Sequence, residues 1–184
     1  MIDRKSALEL LRNNLSNENL VRHCLATEAV MRKLASDRGE DEDLWGLTGL
    51  LHDLDYEKTV ENPALHGLVA ADMLSGELPE ESLRAIRAHN SEHTGVERES
   101  DLDHLLAAGE SITGLIVAVA LVYPDRRLEP VKIKSVTKRM KMTAFARSVP
   151  RETIKECSEA GYELKAFTGL ALSAMKDIAS DIGL

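Results

Sequence analysis

Apolar residues return at helical spacing along nearly the whole chain, and that periodicity leaves few folds open. The stretch "LSNENLVRHCLATEAVMRKLASDRG" has Ser16 in an N-cap position, sets Leu20, Cys24, Thr27 and Met31 along one side, and stops at Gly39. "DEDLWGLTGLLHD" opens with acidic residues, which suit the positive end of a helix dipole. Pro63 fits the first turn of a helix reaching about Gly76, and Pro79 begins another reaching about His89. Residues 101–122 read as a long buried helix closed before Pro124, and further helices are expected over 131–147, 150–160 and 163–181. Strand-like alternation occurs only in "RLEPVKIKSV". Aromatic residues make up only 3% of the chain, so the core must be built from Leu, Ala, Val, Ile and Met, a helical palette. The expected fold is all-α: a single-domain helical bundle over residues 1–184.

Other bulk features exclude several function classes. A net charge of −8 argues against general attraction to nucleic acid or to an anionic membrane. Cys24 and Cys157 stand far apart in no CxxC pairing, so neither a disulfide framework nor a thiolate zinc site is expected. The start, "MIDRKSALELLRNN", reads as an amphipathic helix without the apolar core of a signal peptide. The longest apolar run, "ITGLIVAVALV", is too short to span a bilayer. The reading is therefore a cytoplasmic protein with no membrane partner. The Ala- and Leu-rich C-terminal helices are expected to pack on the core, and they leave a homodimer seam open.

Within "GLTGLLHDLDYEKT" an apolar run ends abruptly in His52-Asp53, an imidazole beside a carboxylate at the last buried turn. Of the six histidines, His93 in "HNSEHTGVERES" and His104 in "DLDHL" read as surface residues. His23, His52, His66 and His89 differ: each belongs to a separate expected helix, near its apolar face. Histidines converging from several helices are how a bundle builds a metal site. Imidazole with carboxylate and no thiolate favours iron, manganese, zinc, cobalt or magnesium. Four separately satisfied histidines are the competing reading, and order and spacing decide between the two.

That order resembles the HD-domain superfamily of metal-dependent phosphohydrolases, in particular a small HDIG-like member, over about residues 20–123. Its pattern is a His, then a His-Asp doublet, then an Asp on a later helix, often with two further His between them. His23 in "VRHCLATEAVM" matches the first His and His52-Asp53 the doublet, while His66 in "LHGLVAADML" and His89 in "AIRAHN" match the inserted pair. The last position departs from the pattern. Family members often read "ADELTG", whereas "GESITGLI" puts Glu110 there, a carboxylate one methylene longer. The resemblance implies a metal-site core over about 16–123, with a C-terminal helical extension over 124–184. It also implies one or two ions held by His23, His52, Asp53, His66, His89 and Glu110, with Asp53 able to bridge. Asp55 and Glu57 are then expected at the mouth as catalytic residues, or as orienting partners of a histidine.

From Val131 to Arg151 the chain carries seven cations and no Asp or Glu. Lys134 and Lys138 share a helix face with Ser135 and Arg139 adjacent, donors suited to phosphate oxygens. The competing reading is a solvated basic face. The expected function is hydrolysis of a small phosphorylated molecule, such as a nucleotide, by a metal-activated water. A di-iron oxygenase of the same superfamily, or a non-catalytic nucleotide-sensing module, are the alternatives.

Overall fold

The computed structural model describes residues 1–184 and contains helices, turns and one isolated bridge between Ser75 and Leu78, with no strand. The helices are α1 (Arg4–Asn14), α2 (Glu18–Arg38), α3 (Glu42–Leu51), α4 (Tyr56–Thr59), α5 (Leu68–Met73) and α6 (Glu80–Ala88). They continue with α7 (Ser91–Thr94), α8 (Asp101–Leu121), α9 (Ile133–Met140), α10 (Arg151–Lys155) and α11 (Leu164–Asp177). The all-α expectation holds, and "RLEPVKIKSV" leads into α9 instead of pairing as a strand. One contiguous hydrophobic core runs from Ala7 in α1 to Ile182 beyond α11.

The centre of this core is α2, α3 and α8. Every residue of α3 from Leu44 to Leu51 is buried. Its Gly49 lies where a Cβ would come 2.9 Å from Met31 Cγ and 3.0 Å from the Thr27 carbonyl oxygen. Only a bare Cα permits that approach, and it sets the C-terminal end of α3 against the middle of α2. Helix α8 is long and apolar enough to cross a membrane, but two-thirds of its apolar window, 67%, is buried inside the protein, as in a core helix. Its start is fixed by a capping box between Ser100 and Asp103.

Three expected boundaries shift. Asn17, not Ser16, caps α2 through its side chain. Chain continuity over 63–76 breaks at Gly67, whose φ of 90° no helix contains, so a 3-10 turn (Pro63–Leu65) and α5 replace one helix. The expected 131–147 helix ends at Met140, and Ala146 turns to positive φ. The carbonyls of Phe145, Ala146 and Val149, freed from helical bonding, are collected by the Arg151 guanidinium.

Gly67 also makes a prediction. A Cβ there would meet the Ile86 carbonyl oxygen at 2.6 Å and the His89 ring at 3.1 Å, on a backbone that disfavours any side chain. Gly67→Ala should cost about 2 kcal/mol and lower Tm by roughly 4–8 °C in a calorimetric melt.

Candidate metal centre

Four imidazoles from different segments meet around one carboxylate, and each is oriented in the same way. His52 follows α3 and places Nδ1 2.8 Å from the Gly49 carbonyl oxygen. His89 follows α6 and places Nδ1 2.6 Å from the Ile86 carbonyl oxygen. His66 Nδ1 lies 2.8 Å from Asp55 Oδ1. His23, on α2, has Nδ1 3.1 Å from Thr113 Oγ1, and the Thr113 hydroxyl already donates its proton to the Glu110 carbonyl at 2.6 Å. Every one of these four partners can only accept, so Nδ1 carries the hydrogen in all four rings. Each Nε2 is left for the centre.

The Nε2 atoms converge on Asp53. Those of His52, His66 and His89 lie 3.3, 3.2 and 3.6 Å from Oδ1, and that of His23 lies 3.7 Å from Oδ2. The Nε2 atoms of His66 and His89 are 3.1 Å apart. Two nitrogens held at right angles by an ion 2.0–2.1 Å away would stand about 3 Å apart, which this spacing matches. His52 Nε2 is buried without any hydrogen-bond partner, the orphan acceptor that an ion would satisfy. Two trios share Asp53: His23 with His52, and His66 with His89. The residues therefore fit a divalent ion, and two sets of donors are present.

The electrostatics follow from this crowding. Complete burial pushes His52 down to about 3, so its ring is neutral. Burial opposes charge on His66 too, but its bonds to Asp53 and Asp55 prevail and raise it to about 9. Asp53 lies well below the usual carboxylate range, because the facing imidazoles, His52 foremost, outweigh its burial. Burial raises the Glu110 carboxyl.

The structure sorts the remaining expected site residues. Glu110 stays outside both trios: Oε2 stands 3.9 Å from His23 Nε2, and Oε1 accepts from the Ser111 hydroxyl at 2.6 Å. Asp55 is fully buried, its second oxygen accepting from the Gly67 and Ala70 N–H groups at 2.9 Å. It orients His66 and the first turn of α5 and does not open on the cleft. Glu57 is not at the mouth either. It accepts from Ser16 and Asn17 and fixes the start of α2, because a carboxylate is held there by free helical N–H groups.

An open cleft of about 560 Å³ exposes His23, Asp53, His66, His89 and Glu110. Lys134, Ser135, Lys138 and Arg139 do not line it. Helix α9 joins the far end of α8, where Ser135 Oγ meets the Tyr123 hydroxyl at 3.1 Å, more than three helical turns and roughly 15 Å or more beyond Glu110. Arg139 instead covers the Phe145 ring at 4.9 Å.

Three contributors escaped the sequence reading. His93 and Tyr56 line the cleft, Tyr56 edge-on to His66 with ring centroids 5.3 Å apart. His93 Nδ1 donates to Asn90 Oδ1 at 2.8 Å, and the Asn90 amide in turn donates to the Pro63 and His66 carbonyls. The four-residue spacing from His89 was the available signal; the intervening turn, a new helix α7, hid it. Arg98, with only 6% of its side chain exposed, donates to the Ala88 and His89 carbonyls while paired with Glu92 and Glu156.

A helical bundle with an interior His/Asp cluster defines a protein able to hold metal ions. The model of the HD domain matches residues 20–120, more than half the chain, and the chain belongs to the HD-domain family. Neither a search of curated proteins nor one of solved structures returns a match.

Proposed function

We propose that the protein is a metal-dependent phosphohydrolase acting on a small phosphorylated molecule, with one or two ions of iron, manganese, zinc, cobalt or magnesium. The observation that carries this reading is the shared orientation of four histidines, each anchored through Nδ1, with every Nε2 directed at Asp53. Divalent ions bound there would supply Lewis-acid chemistry, lowering the pKa of a water and polarising a phosphoryl oxygen. The chain's own residues do the rest. Asp53 balances the charge and holds the two trios together. Asp55 fixes the ring of His66, and Arg98 fixes the backbone of His89. His93, steadied by Asn90, stands in the cleft as the proton donor for a departing oxygen. The basic strip on α9 is a separate surface and has no part in holding the scissile phosphate.

The second trio, Asp53 with His66 and His89, also favours a di-iron oxygenase as a second reading. One experiment separates the two. Protein stripped with chelator and reloaded with each metal in turn is given a panel of phosphomonoesters and phosphodiesters, with phosphate release and oxygen uptake followed together. Phosphate release that returns with metal and consumes no oxygen is expected. Failure to release phosphate with any metal would reject the hydrolase, and oxygen uptake with iron would install the oxygenase.

A further inference from the structure

The metal cleft has a wall that the HD match does not cover. Ser148, Pro150 and Thr153 line it from the segment that enters α10, well past residue 120. That segment is seated on the helix that carries Glu110. Helix α10 packs on α8, and Val149 Cγ2 comes within 3.4 Å of the place a Cβ on Gly114 would take, one turn beyond Glu110.

Thr153 differs from every other buried threonine. There are six: Thr27, Thr48, Thr59, Thr113, Thr153 and Thr168. Five donate to a backbone carbonyl three or four residues back. Thr153, only 5% exposed, makes no such bond, and its hydroxyl finds no other partner in the protein. The reason is local. The carbonyl four residues back belongs to Val149, which precedes α10 and accepts from Arg151 at 2.7 Å. A hydroxyl in so buried a residue forfeits a hydrogen bond unless something in the cleft supplies the acceptor.

The cleft, in turn, is short of donors. No Lys or Arg lines it, so a phosphoryl group seated there meets no side-chain cation. Glu92 is paired with Arg98, and Glu110 accepts from Ser111. The Asn90 amide and His93 Nδ1 are already committed. Three free hydroxyls remain, on Tyr56, Ser148 and Thr153. Tyr56 and Ser148 are exposed, where water satisfies them, and Thr153 alone is buried.

We infer that the Thr153 hydroxyl binds the substrate's phosphoryl group, donating to an oxygen that the ions do not hold. The inference rests on the phosphohydrolase reading of the cleft and adds to it a phosphate-binding residue from outside the matched segment. A hydroxyl donating to an anionic oxygen makes a short, charge-assisted bond.

The test uses the metal-loaded full chain with Thr153→Val, which keeps the shape and deletes the hydroxyl, and Thr153→Ser, which keeps the hydroxyl. Inorganic phosphate is titrated by calorimetry, with metal content and Tm measured alongside. Thr153→Val is expected to bind phosphate at least about tenfold more weakly, and Thr153→Ser to stay within about threefold of the unmodified protein. Metal content should be the same in all three. With a hydrolysed phosphomonoester, kcat/KM should fall about tenfold or more in Thr153→Val and recover in Thr153→Ser. A merely structural role would lower Tm and leave phosphate affinity in place. Should Thr153→Val fail to fold, Thr153→Ala repeats the deletion with a smaller side chain. Equal phosphate affinity in the folded deletion variant and the unmodified protein overturns the proposal, as does a metal-loaded unmodified protein that binds no phosphate. Phosphate affinity that falls and recovers as expected while no phosphoester is hydrolysed would reject the phosphohydrolase reading and keep the binding residue. Hydrolysis with the same kcat/KM and phosphate affinity in every variant would do the reverse.

Discussion

Asp53→Asn protein is expected to purify with less than half an equivalent of metal and to lose about a thousandfold or more in phosphate release, roughly 4 kcal/mol of transition-state stabilisation. Asp53 is the carboxylate that both trios share, so its neutralisation removes an anionic donor from each at once. Asn keeps the shape, and four imidazoles remain, which lets the fold persist while the charge is lost. His66→Ala separates the trios: it should leave one ion with His23, His52 and Asp53 and remove the other. Metal content by mass spectrometry, with circular dichroism as a control for folding, reads both variants. A full complement of metal in Asp53→Asn would remove the basis of the site described here.

Affinity for the ion held by Asp53, His66 and His89 should strengthen steeply with pH, by about tenfold per unit, until about pH 9. The reason is His66. Its folded pKa of about 9 lies above the ordinary 6.5, so at neutral pH a proton occupies the nitrogen that an ion needs. For the metal-free protein the sign is opposite. A raised histidine pKa contributes stability that is fully present below 6.5 and is lost as pH climbs through about 9, on the order of 3 kcal/mol. Tm of the stripped protein should therefore fall across that window while metal binding improves. Asp55→Asn tests the cause: with the buried anion gone, the midpoint should move toward neutrality and affinity at high pH should drop about 10- to 100-fold. Calorimetric titrations between pH 6 and 9.5 would show this, and a flat affinity in the unmodified protein would dismiss His66 as the competing proton.

Much of the ligand set could be read from spacing, because helical periodicity places His23, His52 and His89 at the ends or inner faces of helices whose apolar sides must be buried. Asp55 and Glu57 could not be separated in this way. They are two residues apart in one charged string, yet one is sealed inside by three hydrogen bonds and the other reaches across to the start of α2. Only tertiary geometry distinguishes them. The basic strip misled for a similar reason. Its helical face was evident, but the end of α8 that α9 would join was not encoded in local pattern. The break at Gly67 and the early end of α9 likewise depend on backbone conformations, at Gly67 and Ala146, that periodicity does not report.

The Arg98 clamp ties the cluster to a part of the chain beyond the matched region. Arg98 grips the carbonyl of His89 with one side of its guanidinium and Glu156 with the other, and Glu156 also accepts from His104. Glu156 lies outside the stretch that the family model covers. The matched segment is thus tied through Arg98 and His104 to the helices that follow it. A fragment cut after residue 120 would keep every candidate ligand yet lose Glu156, one of the two counter-charges that hold Arg98, and leave only Glu92. Its His66–His89 half would loosen first, while the His23–His52 half, braced by α3 against α2, would keep its shape.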